Sequence, residues 1–196
     1  MLGGVDQCDV IVALRATVYG GELGYGAEAF DWGPMDDRAF HLLALDEKES
    51  AVAAMRLLGP EARPFELETS VALEPHLRTG HRPGEITRFC IAQEFRPITR
   101  GLPVHTGMIR LLHDTCRQHR IDDVFICAKR GAQRLYEFAL YETLAAPEIP
   151  YAPLGGEAHV LMRLHIPTLV TRYRAVNHPL RRAFEPQAVD AQRGDS

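Results

Sequence analysis

Residues 86–128 read ITRFCIAQEFRPITRGLPVHTGMIRLLHDTCRQHRIDDVFICA. The stretch opens on Ile86–Ala92, rich in β-branched and aromatic residues, which predicts a strand. Met108, Leu111, Leu112 and Cys116 then recur at helical spacing and predict an amphipathic helix over 107–119. Val124–Ala128 is a compact apolar run of strand length. Between the first strand and the helix, Arg100-Gly101-Leu102-Pro103-Val104-His105-Thr106-Gly107 carries the glycines and proline of a loop. A strand–helix–strand unit of this kind belongs to an α/β layer fold.

Upstream, Ala39–Asp46 and Ala51–Leu58 are apolar runs on either side of Glu47-Lys48-Glu49-Ser50, which predicts a hairpin. A first helix is expected over 9–19, with Val10, Leu14 and Val18 one turn apart and Gly20-Gly21 as its stop. Residues 22–38 form a long irregular segment, which suggests a functional loop. Phe65–Leu77 is mixed, with room for a short helix. Downstream, a helix is expected over 132–145 and a strand over 159–166, and the polar stretch from Arg172 is expected to fray. The predicted order is helix, hairpin, strand, helix, strand, helix, strand. It implies a three-layer α/β fold with a mixed, mostly antiparallel central sheet flanked by helices, in one domain spanning residues 1–196.

Composition narrows the function. The chain has 196 residues, a net charge of −4 and 46% hydrophobic residues. That balance argues against a general nucleic-acid binder, which would show a basic excess. No apolar run approaches the length of a membrane span, and the N-terminal residues lack a basic start and apolar core, so a cytoplasmic location is expected. The four cysteines, Cys8, Cys90, Cys116 and Cys127, and the nine histidines show no metal-ligand spacing. No metal and no cofactor is therefore expected. Cys90 and Cys127 sit in apolar runs and read as core.

Four clusters carry a family resemblance: Arg15-x-x-Val18-Tyr19-x-x-x-Leu23-Gly24-Tyr25, Glu28-Ala29-Phe30-Asp31, Met55-Arg56-Leu57-Leu58, and Glu85-Ile86-Thr87-Arg88-Phe89-Cys90-Ile91. In this order they resemble the acyl-homoserine-lactone (autoinducer) synthases, most closely those of alphaproteobacteria. The chain departs from that family in carrying Tyr19 and Tyr25 at its Phe and Trp positions, and Glu28 where the family has Asp. The resemblance covers residues 9–92. Later it rests on element order and on Pro153-Leu154-Gly155. The element order also resembles the GNAT acetyltransferase fold, as does Ala132-x-x-Leu135-Tyr136-Glu137. The glycines of 100–107 do not keep that fold's pyrophosphate-binding spacing.

The resemblance implies an N-acyltransferase that joins an acyl group to S-adenosylmethionine and then closes a lactone, making a quorum-sensing signal. S-adenosylmethionine and an acyl thioester, on acyl carrier protein or coenzyme A, would be its substrates. Such an acceptor needs a cation for its carboxylate, anions or aromatic faces for its positive groups, and a base for its amine. The implied catalytic residues are Glu85 as general base, Arg88, Asp31 and Arg56. Arg15, Tyr19, Tyr25, Glu28, Phe30, Trp32 and Phe89 are implied to bind substrate, with Asp31 and Glu28 orienting Arg15 or Arg56. The thioester oxyanion would be met by backbone N–H groups around Phe89. Tyr136 is a candidate general acid. Leu111, Phe125 and Met162 are candidate lining for an acyl tunnel, and Arg110, Arg117 and Arg120 offer a basic face to an acidic carrier protein.

Glu85 and Arg88 raise a geometric problem. Residues three apart in a regular strand face opposite sides. Both reach one cleft if a bulge intervenes; otherwise Arg88 serves from the reverse face. Two other readings stand beside the lactone synthase. One is an N-acyl amino acid synthase using an acyl carrier protein thioester. The other is a catalytically inactive module that senses a ligand or binds acyl carrier protein.

Overall fold

The computed structural model describes residues 7–144 and 148–185. Seven strands form one mixed sheet. They are β1 Ala39–Leu45, β2 Ala51–Leu58, β3 Pro83–Ile91, β4 Asp123–Lys129, β5 Glu142–Thr143, β6 Ile149–Tyr151 and β7 Glu157–His165. The order is β1-β2-β3-β4-β7-β5, with β6 also paired to β7. All pairings are antiparallel except β3–β4. The helices are α1 Gln7–Arg15, α2 Ile98–Gln118, α3 Gln133–Phe138 and α4 Leu169–Ala175. This is the GNAT-like layered fold that the element order predicts.

The parallel β3–β4 pair positions the site. It runs only from Pro83↔Asp123 to Glu85↔Phe125, after which the strands part. Gly84 lies at this narrow end. A Cβ there would stand 2.9 Å from the Leu58 carbonyl oxygen and from Ile121 Cγ2, so the backbones approach closely only with glycine. On one sheet face Leu57, Ile86, Met108, Leu112, Val124 and Met162 form the main core. On the other, Leu58, Phe65, Leu67, Phe125 and Leu161 form a second core. α1 packs over a third, with Ile11, Leu14, Ala54 and Cys90.

Three predicted boundaries move. α2 begins at Ile98, not Gly107, so Gly101 and Pro103 lie within a helix rather than in a loop. Gly101 is needed there because a Cβ would fall 1.7 Å from the Phe95 carbonyl oxygen. The helix outlasts its breakers because its apolar stripe packs on β1 and β2. α3 spans Gln133–Phe138 only. Leu140, at φ 65°, ends it, and β5 pairs with β7 directly afterwards. Residue 145, the last of the predicted helix, lies outside the described residues.

The third change concerns the stretch from Arg172. Far from fraying, α4 and a 3-10 turn over Pro179–Phe184 bury Tyr173, Leu180 and Ala183 in the main core. Their apolar residues are spaced among arginines, which hides the pattern in the sequence. Residues 186–196 lie outside the described residues. Leu180→Ala is expected to cost about 2–4 kcal/mol in chemical denaturation, as for other buried leucines; a loss below 0.5 kcal/mol would mean the segment is not docked. No helix among the described residues is long and apolar enough to cross a membrane.

Candidate active site

A bulge in β3 settles how Glu85 and Arg88 share one side. Arg56 pairs with Thr87 and Ala54 with Cys90. Met55 of β2 therefore faces two residues of β3, Arg88 and Phe89. Arg88 takes φ 53°, a left-handed conformation that non-glycine residues adopt at a cost. The Tyr19 hydroxyl donates to the Phe89 carbonyl at 3.0 Å, anchoring the bulge to the segment after α1. That segment, Ala16–Glu22, continues α1 in a wider π-helical winding, so the helix expected over 9–19 is present but changes geometry at Arg15.

Glu85 is fully buried. Its two oxygens accept the backbone N–H groups of Glu66 and Leu67 at 2.8 and 2.9 Å. Those residues open a 3-10 turn, Glu66–Thr69, where Phe65 and Leu67 are buried apolar anchors on either side of Glu66. Burial, then the charge of Glu66, pushes the Glu85 carboxyl up to about 8, against the opposing pull of the two amides and Arg56.

From Glu66 a chain of alternating charges runs under the site. Arg88 grips the Glu66 carboxylate with two bonds of 2.9 Å and donates to the Glu28 carbonyl at 3.2 Å. Arg56 donates to Glu66 at 2.9 Å, to Thr87 Oγ1 at 2.7 Å and to Asp36 at 3.1 Å. Arg15, also fully buried, donates to the other oxygen of Asp36 at 2.8 Å. Burial alone would raise the Asp36 carboxyl. Arg15 and then Arg56, with the Gly33 amide, outweigh it and hold the group below its usual range. Each charge is thus desolvated but partnered, the condition under which buried ions are tolerated. Nε and one terminal nitrogen of Arg15 have no partner among the described residues.

Above this chain, between the parting strands, opens a cavity of about 440 Å³. Tyr19, Tyr25, Arg88, Phe89, Cys127, Leu135, Tyr136 and Tyr151 are among its walls. A narrower apolar extension of about 40 Å³ continues from Phe89, Leu135 and Tyr136 to Met108, Leu112 and Phe138. The Tyr151 hydroxyl lies 3.4 Å from Glu66 and so connects the cavity to that half-buried carboxylate. At the rim, Lys129 contacts the Tyr25 hydroxyl at 3.0 Å and Glu157 at 2.8 Å, and Tyr25 donates to the same Glu157.

The residues named from sequence divide into four groups. Tyr19, Tyr25, Arg88 and Phe89 line the cavity. Arg15, Arg56 and Glu85 lie behind its wall in the charge network. Glu28 and Asp31 are exposed, and neither carboxylate pairs with Arg15 or Arg56. The expectation that they orient those arginines is corrected: Asp36 and Glu66 do so. The chain turns away through Ala27–Ala29 before returning to the core at Asp36. Phe30 packs against Gly20, while Trp32 donates to Asp37 at 2.8 Å and lies against His41 with the rings tilted by 30°, so both order the flap, residues 22–38, rather than line the cavity.

Outside the ionic cluster, Cys90 is buried in a core as read, and Cys127, half-buried, packs against the second core; both also line the cavity. Leu111 points outward at 40% exposure, and Phe125 and Met162 are sealed in the sheet cores, so none lines the extension. The residues sequence reasoning missed are Asp36, Glu66 and Tyr151. The one available signal for Glu66 was a lone acid between two apolar residues, Phe65 and Leu67.

The sequence pattern of a family described as N-acyl amino acid synthase FeeM matches residues 11–165. No curated protein sequence matches the chain. Among solved structures, FeeM, an N-acyl amino acid synthase from uncultured soil microbes, is similar with a TM-score of 0.66 at 14% identity, over 83% of this chain and 86% of that one. The AHL synthase LasI gives 0.61 at 16% identity, over 83% and 85%. BjaI, a CoA-dependent acyl-homoserine lactone synthase solved with MTA, gives 0.58 at 16%, over 90% and 92%.

Proposed function

This chain belongs to the FeeM family of N-acyl amino acid synthases, and we propose from that premise that it transfers an acyl group from a thioester to the amine of an amino acid. As a member of that family it is an N-acyltransferase. The shape of the cavity supports acylation of an amino acid. An apolar bore, open at the parting of β3 and β4, ends in a polar wall of Arg88 and Tyr151 backed by the Glu66 and Glu85 carboxyl groups.

In this reading the acyl chain lies along the apolar wall of the main cavity, with its end toward the narrow extension, and its thioester beside the β3 bulge. The acceptor amine attacks the carbonyl carbon, the C–S bond breaks, and the carrier leaves as its thiolate, which takes a proton from solvent. The amine proton passes to the Tyr151 oxygen as that hydroxyl gives its own proton to the carboxyl pair behind it. Glu85 is the final acceptor and Glu66 the connection. Backbone N–H groups around Phe89 receive the oxyanion. Arg15 and Arg56 hold the flap and the 65–69 turn in place, and thereby hold Arg88. The donor is an acyl carrier protein or coenzyme A thioester.

A second reading, acyl-homoserine-lactone synthesis, is favoured by Arg15, Arg56, Glu85 and Arg88 standing at the intervals of that family's motifs. It requires S-adenosylmethionine as acceptor, with the carboxylate displacing methylthioadenosine after acylation. The test is to incubate the protein with acyl carrier protein thioesters of graded chain length and either mixed amino acids or S-adenosylmethionine, and to identify products by mass spectrometry. An open-chain acyl amino acid is expected. A lactone with released methylthioadenosine would establish the second reading instead. Free thiol production no greater than in a protein-free control with either acceptor would sink both and leave a non-catalytic binding module.

A further inference from the structure

At the closed end of the cleft, away from the acyl-transfer chemistry, two imidazoles and a carboxylate converge. His81 Nδ1 lies 2.8 Å from one oxygen of Asp123, and His165 Nδ1 lies 2.9 Å from the other. The two rings face each other with centroids 5.2 Å apart and planes 17° from parallel. The three donor atoms all lie within 4.8 Å of one another. We propose that His81, Asp123 and His165 bind a zinc ion that staples the narrow end of the sheet.

The chemistry and the placement agree. Two imidazole nitrogens and one carboxylate oxygen are a zinc donor set, with a fourth position left for water. Ligands about 2.1 Å from a tetrahedral ion stand about 3.4 Å apart, so each imidazole need move back from Asp123 by only about half an ångström, and the three donors already lie within 4.8 Å of one another. On binding, the ion takes the place of the protons now shared between the imidazoles and Asp123.

Each donor is fixed by a different element. Asp123 is the first residue of β4 and is 1% exposed. His165 is the last residue of β7 and pairs with Asp123 in the ladder. His81 is set by a turn in which its N–H donates to the Arg78 carbonyl at 3.1 Å, with Gly80 at φ 78°. The His81 and His165 side chains keep 33% and 15% exposure, so an ion has a path in. The site would join the entry to β3, β4 and β7 beside the three-residue β3–β4 pairing after which the strands part.

One neighbour opposes a cation. The Arg78 guanidinium stands 3.5 Å from Asp123 and 3.7 Å from Glu142. It is one-third exposed, and Glu142 can hold it when metal displaces it from Asp123. Removing this charge should therefore strengthen metal binding, an effect that a purely hydrogen-bonded His–Asp–His cluster would not produce.

The full chain, stripped with a chelator and dialysed against zinc sulfate, should retain one zinc per chain by elemental analysis. With zinc held about 100-fold above its Kd, Tm should rise by about 5–10 °C. His81→Gln and His165→Gln should each weaken binding by about tenfold or more, and Arg78→Gln should tighten it. Cobalt should give the intense visible bands of a tetrahedral ion in wild type only. The readouts need no acyl substrate, so they stand whatever the transferase assay yields. If His165→Gln fails to fold, His81→Gln, at an exposed side chain, carries the comparison. Equal zinc retention by wild type and the folded glutamine variant, or no change in wild-type Tm, overturns the site.

Discussion

Asp36→Asn is expected to lower the unfolding free energy by about 3–5 kcal/mol, the loss that follows when one partner of a buried ion pair is removed. Asp36 is 2% exposed and holds two guanidiniums, one on each oxygen. An amide carries no charge: Arg15 then has no carboxylate against it, and Arg56 keeps only Glu66, which it shares with Arg88. The same substitution frees residues 33–38 from α1 and β2, so the flap should become sensitive to protease. The pH dependence has a definite sign. The Asp36 carboxyl is held below its ordinary 3.8 in the fold, so its contribution is complete above that pH and is lost as pH falls through the folded value. Acid unfolding of the variant should begin from a lower plateau and show a shallower slope. Urea denaturation at neutral and acid pH checks both. A loss under 1 kcal/mol would mean that the buried charges find other partners.

Glu66→Gln is expected to reduce kcat for acyl transfer by about 100-fold or more, the scale on which proton transfer by a positioned group contributes. The glutamine fills the same space but cannot hold Arg88 by two charged bonds or accept the Tyr151 proton. Tyr151→Phe should cost less, about tenfold, since water can replace a hydroxyl at an open wall. The wild-type profile adds a further check. With its carboxyl pushed up to about 8, Glu85 is a proton acceptor in most molecules only above that pH. Wild-type kcat should therefore rise as pH approaches about 8, and Glu85→Gln should abolish that limb. Steady-state kinetics on variants with native circular dichroism decide the matter. A Glu66→Gln enzyme within about threefold of wild type would remove the carboxylates from the proton path.

The legible parts of the fold are those where local pattern and burial agree. β2 occupies Ala51–Leu58 as read, because an apolar run next to a polar turn has one way to bury itself in a hairpin. The start of α2 was not legible, because Gly101 and Pro103 are breakers in isolation. Only the Phe95 carbonyl, pressed against Gly101, shows why glycine stands inside that helix. The docked segment from Leu169 to Phe184 was hidden for a related reason: its few apolar residues share their turns with arginines.

The amino-acid sequence by itself determined the layer order, the strand carrying Glu85 and Arg88, and the arginines at 15, 56 and 88 as the cations to watch. The layer order and the strand follow from hydrophobic periodicity and residue type, which are local; the three arginines follow from the resemblance of the motif clusters that carry them. Only the tertiary structure decided which acids meet those arginines, whether Glu85 and Arg88 share a side, and that residues 81, 123 and 165 come together. A carboxylate within 3 Å of a buried guanidinium outweighs one that is merely near in sequence. Where the chain brings that carboxylate depends on a bulge and on loop paths set by distant packing.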